Sequence, residues 1–282
     1  MKRFITFMNE HFRQLFIGAC LVMSVTSCTN LDEEVFSEIT EDSFVPADED
    51  IVALTASAYT PLRYIMGWQG LFDVQEESAD IFVTPTRPNG WDDGGTYKRM
   101  HRHTWNDVQW QPRNTWLTCF NGINSANRVI SQIESGSLPI SEEQAASVIA
   151  ELRGVRAVYY SILLDTHGNV PIIKNFSDEV PTQASRSEVY NFIISELNEV
   201  IPMLTETADQ TTYGRLNKWG ALALQARVYL NAEVYVGTAE WDKVISNTDQ
   251  IINSGAYMLD DNYRDVFSTD NQNSPEIVFS SP

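Results

Sequence analysis

The sequence predicts a mainly α protein built from helical pairs, with long loops and little β structure. Three observations point there. Apolar residues recur at three- and four-residue spacing in several long segments. Two capping boxes, Ser141 with Gln144 and Ser185 with Glu188, open such segments. Gly168 and Gly237 stand where periodic stretches stop, as helix ends require. The 282 residues are 43% hydrophobic and 20% charged with three Cys, enough to bury a core in one or two domains. That excludes wholesale disorder, collagen-like repeats and a disulfide-stapled miniprotein.

Residues 1–27 read as an export signal. Lys2, Arg3 and Arg13 precede the apolar run Leu15 to Met23, which is followed by small and hydroxylated residues up to Cys28. The run is far shorter than the roughly 20 residues a spanning helix needs. Val25-Thr26-Ser27-Cys28 resembles a bacterial lipobox, in which cleavage falls before a cysteine that carries a diacylglycerol; Val25 stands where Leu is preferred. Ile17-Gly18-Ala19-Cys20 is a rival match, disfavoured because Cys20 lies inside the apolar run. Ordinary cleavage that leaves Cys28 a free thiol is the remaining alternative. Several acyl chains at Cys28 anchor a protein firmly, each buried CH₂ contributing about 0.8 kcal/mol.

Residues 28–47 form an acidic tether with Asp32, Glu33 and Glu34 close behind the anchor. The cluster resembles a surface-export tag, and a solvated spacer fits the same residues equally well. The whole chain carries 19 Lys and Arg against 38 Asp and Glu, a net charge of −19, which makes nucleic acid or anionic lipid a poor partner. With Cys28 lipidated no internal disulfide forms, and Cys119 reads as a small buried hydrophobe on a helix.

The body, 48–282, follows in order. Ile51, Leu54, Ala58, Leu62 and Ile65 mark a helix from Asp48 to Met66, bent at Pro61. Trp116, Phe120, Ile123, Asn127 and Ile130 mark a second. Val148, Leu152, Val155, Tyr159 and Ile162 mark a third, opened by Ser141 and ending near Gly168, before Pro171. A fourth, opened by Ser185, carries Val189, Phe192, Ile193, Leu197, Val200 and Leu204. Asn217 to Val236 and Ala239 to Ser254 form a helical hairpin about Gly237, with Ala221, Ala223 and Ala226 at the expected close contact. This hairpin resembles a tetratricopeptide pair, so the fold is an α-α superhelix of degenerate pairs. Beyond residue 256 irregular structure is expected, with a short strand at Ile277-Val278-Phe279.

Residues 84–116 hold four of the seven Trp, far above their share of the length. Arg87-Pro88-Asn89-Gly90-Trp91-Asp92-Asp93-Gly94-Gly95 specifies turns, and a long loop of this kind is more often functional or disordered than idle. A sugar ring offers an apolar face to an indole and hydroxyls to fixed polar groups. Trp91 supplies that platform, Asp92 accepts from hydroxyls, Arg87 donates a rigid fork and Trp105 extends the platform. Trp105 and Trp110 read equally as core, Trp116 reads as core on its helical stripe, Arg87 as an ion-pair partner and Asp92 as a turn former. His101-x-His103 lacks a third ligand at convincing spacing, so it reads as a structural or solvent-facing pair. Glu76-Glu77 and Asp92-Asp93 supply carboxylates for a glycosidase, but their separation is not a sequence property. Gly-x-Ser-x-Gly, His-Glu-x-x-His and phosphate-loop motifs are absent from the sequence.

A set of ordered motifs is more specific. Glu151-Leu152-Arg153, Arg156-Ala157, Tyr159-Tyr160 and Gly168-Asn169-Val170-Pro171 come first. Gly214-Arg215, Lys218, Ala221 and Ala226-Arg227-Val228-Tyr229-Leu230 follow. Trp241, Asp249, Ile252-Asn253-Ser254-Gly255, Tyr257 and Ser274-Pro275-Glu276-Ile277-Val278-Phe279 complete the order. Together they resemble the SusD/RagB family of nutrient-binding outer-membrane lipoproteins across nearly the whole mature chain. The resemblance implies tetratricopeptide-like pairs with a ligand face made of loops. It also implies a lid on a SusC-like TonB-dependent transporter, non-catalytic capture of glycans or less often peptides, and a surface-exposed, lipid-anchored location. No cofactor or metal is implied, and a lipid-anchored glycosidase is the third reading. The family continues past the position of Pro282, so the helical domain is expected to be incomplete at its C-terminus.

Overall fold

A computed structural model describes residues 47–67, 70–87, 89, 91–177 and 180–280. The signal segment, Cys28 and the acidic tether up to residue 46 lie outside the described residues, as do Pro88 and Gly90. The helices are α1 (Asp48–Tyr59), α2 (Leu62–Ile65), α3 (Leu71–Ser78), α4 (Thr96–His101), α5 (Trp110–Glu134), α6 (Glu142–Thr166), α7 (Arg186–Val200), α8 (Lys218–Leu230), α9 (Ala232–Val236) and α10 (Trp241–Ser254).

Local chemistry sets the helix ends. Pro61 separates α1 from α2, because it has no N–H to continue the ladder. Ser141 caps α6 by accepting from the Gln144 N–H at 3.3 Å, and Ser185 caps α7 by accepting from the Glu188 N–H at 3.4 Å. Gly237 and Gly255 end α9 and α10 in the left-handed region, at φ of 76° and 67°. The expected helix from Asn217 to Val236 divides at Asn231 into α8 and α9.

The core lies between the long helices. α5 and α6, 25 residues each, form a hairpin in which Gly122 admits the ring of Tyr159: a Cβ on Gly122 would sit 2.1 Å from Tyr159 Cζ. The Tyr159 hydroxyl crosses to α1 and donates to the Ala58 carbonyl at 2.6 Å. α7 packs on α6 through Val189, Ile193 and Leu197, all buried, and through a charged seam. In that seam Glu196 accepts from both Arg153 and Arg156, and Arg156 also donates to Asn127 Oδ1 at 2.6 Å and the Lys174 carbonyl at 2.8 Å. α8 pairs with α10, where Asn247 donates to Gln225 Oε1 at 2.8 Å and Gln225 in turn donates to Asn198 of α7 at 2.9 Å. Ala221 is fully buried there. Cys119 is fully buried on α5, and burial pushes its thiol well above the usual range.

The predicted helical pairs are therefore present. The predicted strand at Ile277-Val278-Phe279 is not: those residues are irregular and half-buried, with Val278 and Phe279 packed on the core. A short apolar run carries no period that separates a strand from a packed loop. Among the described residues the β structure is one antiparallel bridge, Pro171 with Gln183. Among the same residues no helix is long and apolar enough to cross a membrane.

Candidate functional site

The Trp-rich segment is not a bare loop. It runs from the end of α3, turns at Gly94 and Gly95 (φ of 62° and 77°), and is interrupted by α4 before α5 begins at Trp110. α3 and α4 lack the apolar stripes of the longer helices, being short and carrying buried polar residues such as Asp73, Glu77 and Thr96.

Asp93 organises the turn. Its Oδ1 accepts from the Gly95 N–H at 3.0 Å and from the Thr86 hydroxyl at 3.1 Å, and its Oδ2 accepts from the Tyr97 N–H at 3.0 Å. Burial pushes its carboxyl upward, but donation from Tyr97, Gly95 and Thr86 outweighs that and holds it below the usual carboxylate range. Tyr97 is buried beneath the turn and donates through its hydroxyl to Asp73 Oδ2 of α3 at 3.1 Å. Its ring carries Trp91, centroid to centroid 5.6 Å at 47°. Trp91 remains 36% exposed.

The structure brings three of the sequence-predicted residues into this turn. The Arg87 N–H donates to the Trp91 carbonyl at 3.3 Å. The Arg87 side chain is exposed and has no ion-pair partner among the described residues. Asp92 Oδ1 accepts from the Gly94 N–H at 2.9 Å, so one oxygen shapes the turn while the residue stays exposed. Trp105 stands past the other end of α4. It is 40% exposed, 5.5 Å from the ring of His103, whose Nε2 lies 2.8 Å from the Ser78 carbonyl.

The remaining candidates resolve into structural roles. Trp116 is half-buried between Phe120 at 4.7 Å and His167 at 5.3 Å. His101 pairs with Asp80 at 2.7 Å. Among the described residues no group of three or more His, Cys, Asp or Glu is placed to hold a metal. Each acidic pair is divided: Glu77 is 1% exposed and accepts from the Thr84 hydroxyl, and Asp93 is consumed as described. The sequence reading missed Tyr97 and Asp73, and named Asp93 only as half of an acidic pair in the turn. The available signal was an Asp followed by Gly-Gly-Thr-Tyr, a helix-start pattern hidden among turn residues.

Cavities also lie elsewhere among the described residues. One of about 630 Å³ is lined by Arg153, Lys174, Phe192 and Glu196, and one of about 340 Å³ by Tyr213, Arg215, Tyr257 and Phe279. In both, the Arg side chains are already engaged, Arg153 with Glu196 and Glu199 and Arg215 with Glu151. The Trp91 turn, with an exposed indole supported on Tyr97 and an exposed Arg87 that has no ion-pair partner among the described residues, is the better candidate for ligand contact.

Comparison with known proteins places the fold. A SusD-like family model described as starch-binding and associating with the outer membrane matches residues 31–230. The starch-binding protein SusD of Bacteroides thetaiotaomicron is 26% identical over 283 residues, covering 96% of this chain and 50% of that protein. A SusD-like protein of Bacteroides ovatus is 26% identical over 280 residues, covering 95% and 49%. A solved laminarin-binding SusD-like protein superposes with a TM-score of 0.70 at 23% identity, over 83% of this chain and 51% of that one. Surface glycan-binding protein A of Bacteroides thetaiotaomicron, in complex with laminarihexaose, gives 0.67 at 21%, over 82% and 48%. The chain spans about half the length of the curated relatives it matches.

Proposed function

The chain belongs to the SusD-like family, and on that premise we propose that it captures glycans at the outer membrane without cleaving them. The observation that carries this reading is the Trp91 indole, exposed on one side and fixed from beneath by Tyr97. A pyranose laid on that indole places its hydroxyls beside Arg87 and Asp92, which donate and accept at the edge. Trp105, on its own His103 support, extends the surface for a longer oligosaccharide. The relatives named for starch and laminarin support a saccharide ligand.

The finer parts of the proposal follow from the sequence. Cys28 is the lipid attachment point, residues 28–47 are the tether, and residues 48–282 are the capture domain. The glycan passes to a SusC-like TonB-dependent transporter. Isothermal calorimetry of the lipid-free chain against an oligosaccharide panel tests capture, and mass spectrometry of the membrane-extracted protein tests acylation at Cys28. Absence of saccharide binding alongside binding of peptides would replace glycan with peptide capture by the same architecture.

A further inference from the structure

The aromatic segment is also where this acidic chain concentrates cations. Residues 84–116 contain five of the 19 Lys and Arg and only three of the 38 Asp and Glu. The fold sharpens the imbalance. Asp93 is buried with both oxygens occupied, and Arg99 is fixed on Gln109 Oε1 and the Gly94 carbonyl, each at 2.9 Å. Exposed in the segment are Arg87, Lys98, Arg102 and Arg113, against Asp92 and Asp107. None of these four cations has an acidic partner within 4.0 Å among the described residues. Of the acids on neighbouring α3, Asp73 accepts from Tyr97 and Glu77 from Thr84, while Glu76 is half-buried; just beyond, Asp80 pairs with His101.

Lys98 and Arg102 lie one helical turn apart, a like-charged spacing that weakens a helix rather than supporting it. The net charge of −19 does not cancel this patch for a bound ligand, because salt screens charges beyond about 8 Å at physiological ionic strength. Contact-range cations therefore decide which ligand is held. We propose that the ligand is an anionic glycan, bearing hexuronate carboxylates or sulfate esters, with Trp91 against a ring face and Arg87, Lys98 and Arg102 pairing with the acid groups. This rests on the capture reading above.

Calorimetry on the lipid-free chain, at about 50 mM and about 500 mM salt, with hexagalacturonate, a sulfated galactan hexasaccharide and laminarihexaose tests it. At least one anionic probe should bind about tenfold tighter than laminarihexaose at low salt and weaken at high salt. Lys98→Gln/Arg102→Gln, both at exposed positions, should lose about tenfold for that probe with an unchanged circular dichroism spectrum. Which anionic probe binds distinguishes carboxylate from sulfate. Laminarihexaose binding as tightly, with no salt dependence, overturns the anionic assignment and leaves glycan capture standing. Failure of all three to bind overturns both.

Discussion

The Asp93 carboxylate accepts the main-chain N–H of Tyr97 at 3.0 Å, and the Tyr97 ring in turn supports Trp91 at 5.6 Å. A buried acid thus sets the pose of an exposed indole that it does not touch in any recorded contact. Asp93→Asn should cost about 1 kcal/mol of stability, the usual worth of a capping acceptor. The sign with pH follows from the lowered carboxyl. A group whose folded value lies below its unfolded value, near 3.9, stabilises above that value and loses the contribution as pH falls through the folded one. The gap between wild type and variant in urea unfolding should be full at about pH 6 and shrink below about pH 4.

Trp91→Ala removes the platform while leaving its support. Because the indole is 36% exposed, the fold should be retained, and glycan affinity should fall by about tenfold or more in calorimetry. Unchanged affinity would remove Trp91 from the site.

Gly122→Ala drives a methyl group into the Tyr159 ring, which cannot swing away because it is fully buried and tethered to the Ala58 carbonyl. Overpacking of this kind costs about 1–3 kcal/mol, read as a lowered midpoint in thermal unfolding.

The seam between α6 and α7 should respond asymmetrically. Glu196→Leu leaves buried Arg156 without its carboxylate and should cost about 3–5 kcal/mol. Arg156→Met leaves Glu196 with Arg153 still beside it at 2.7 Å and should cost less. Equal losses in denaturant titrations would contradict this division of the charge.

The readable parts of this fold are those where one local signal agrees with a long period. Ser141 and Ser185 announced α6 and α7, Pro61 announced the bend after α1, and Gly237 announced the hairpin end. α3 and α4 escaped because short helices that bury Asp73, Glu77 and Thr96 show polar letters at core positions. Their burial depends on partners distant in sequence, such as Gln111, whose Oε1 accepts from Thr96 at 3.0 Å. At the site, exposed Trp91 was legible from its polar neighbours. Asp93 was not, since adjacent Asp92 and Asp93 look alike until the chain turns one outward and one in.

One phenol ties α1 to α6 and to the entry of α8. Tyr59 of α1 donates to Glu151 Oε1 of α6 at 2.5 Å and accepts from the Leu216 N–H, just before α8, at 2.9 Å, while Arg215 clamps the same Glu151. Tyr59→Phe leaves a buried N–H without its acceptor and should cost about 1–3 kcal/mol in urea unfolding. Partners 92 and 157 residues away in the chain meet at one oxygen. An array of stacked pairs touching only their neighbours melts progressively from its ends. Here α1 is bolted to α6 and to the entry of α8, so these helices should lose their structure together, in one sharp cooperative step.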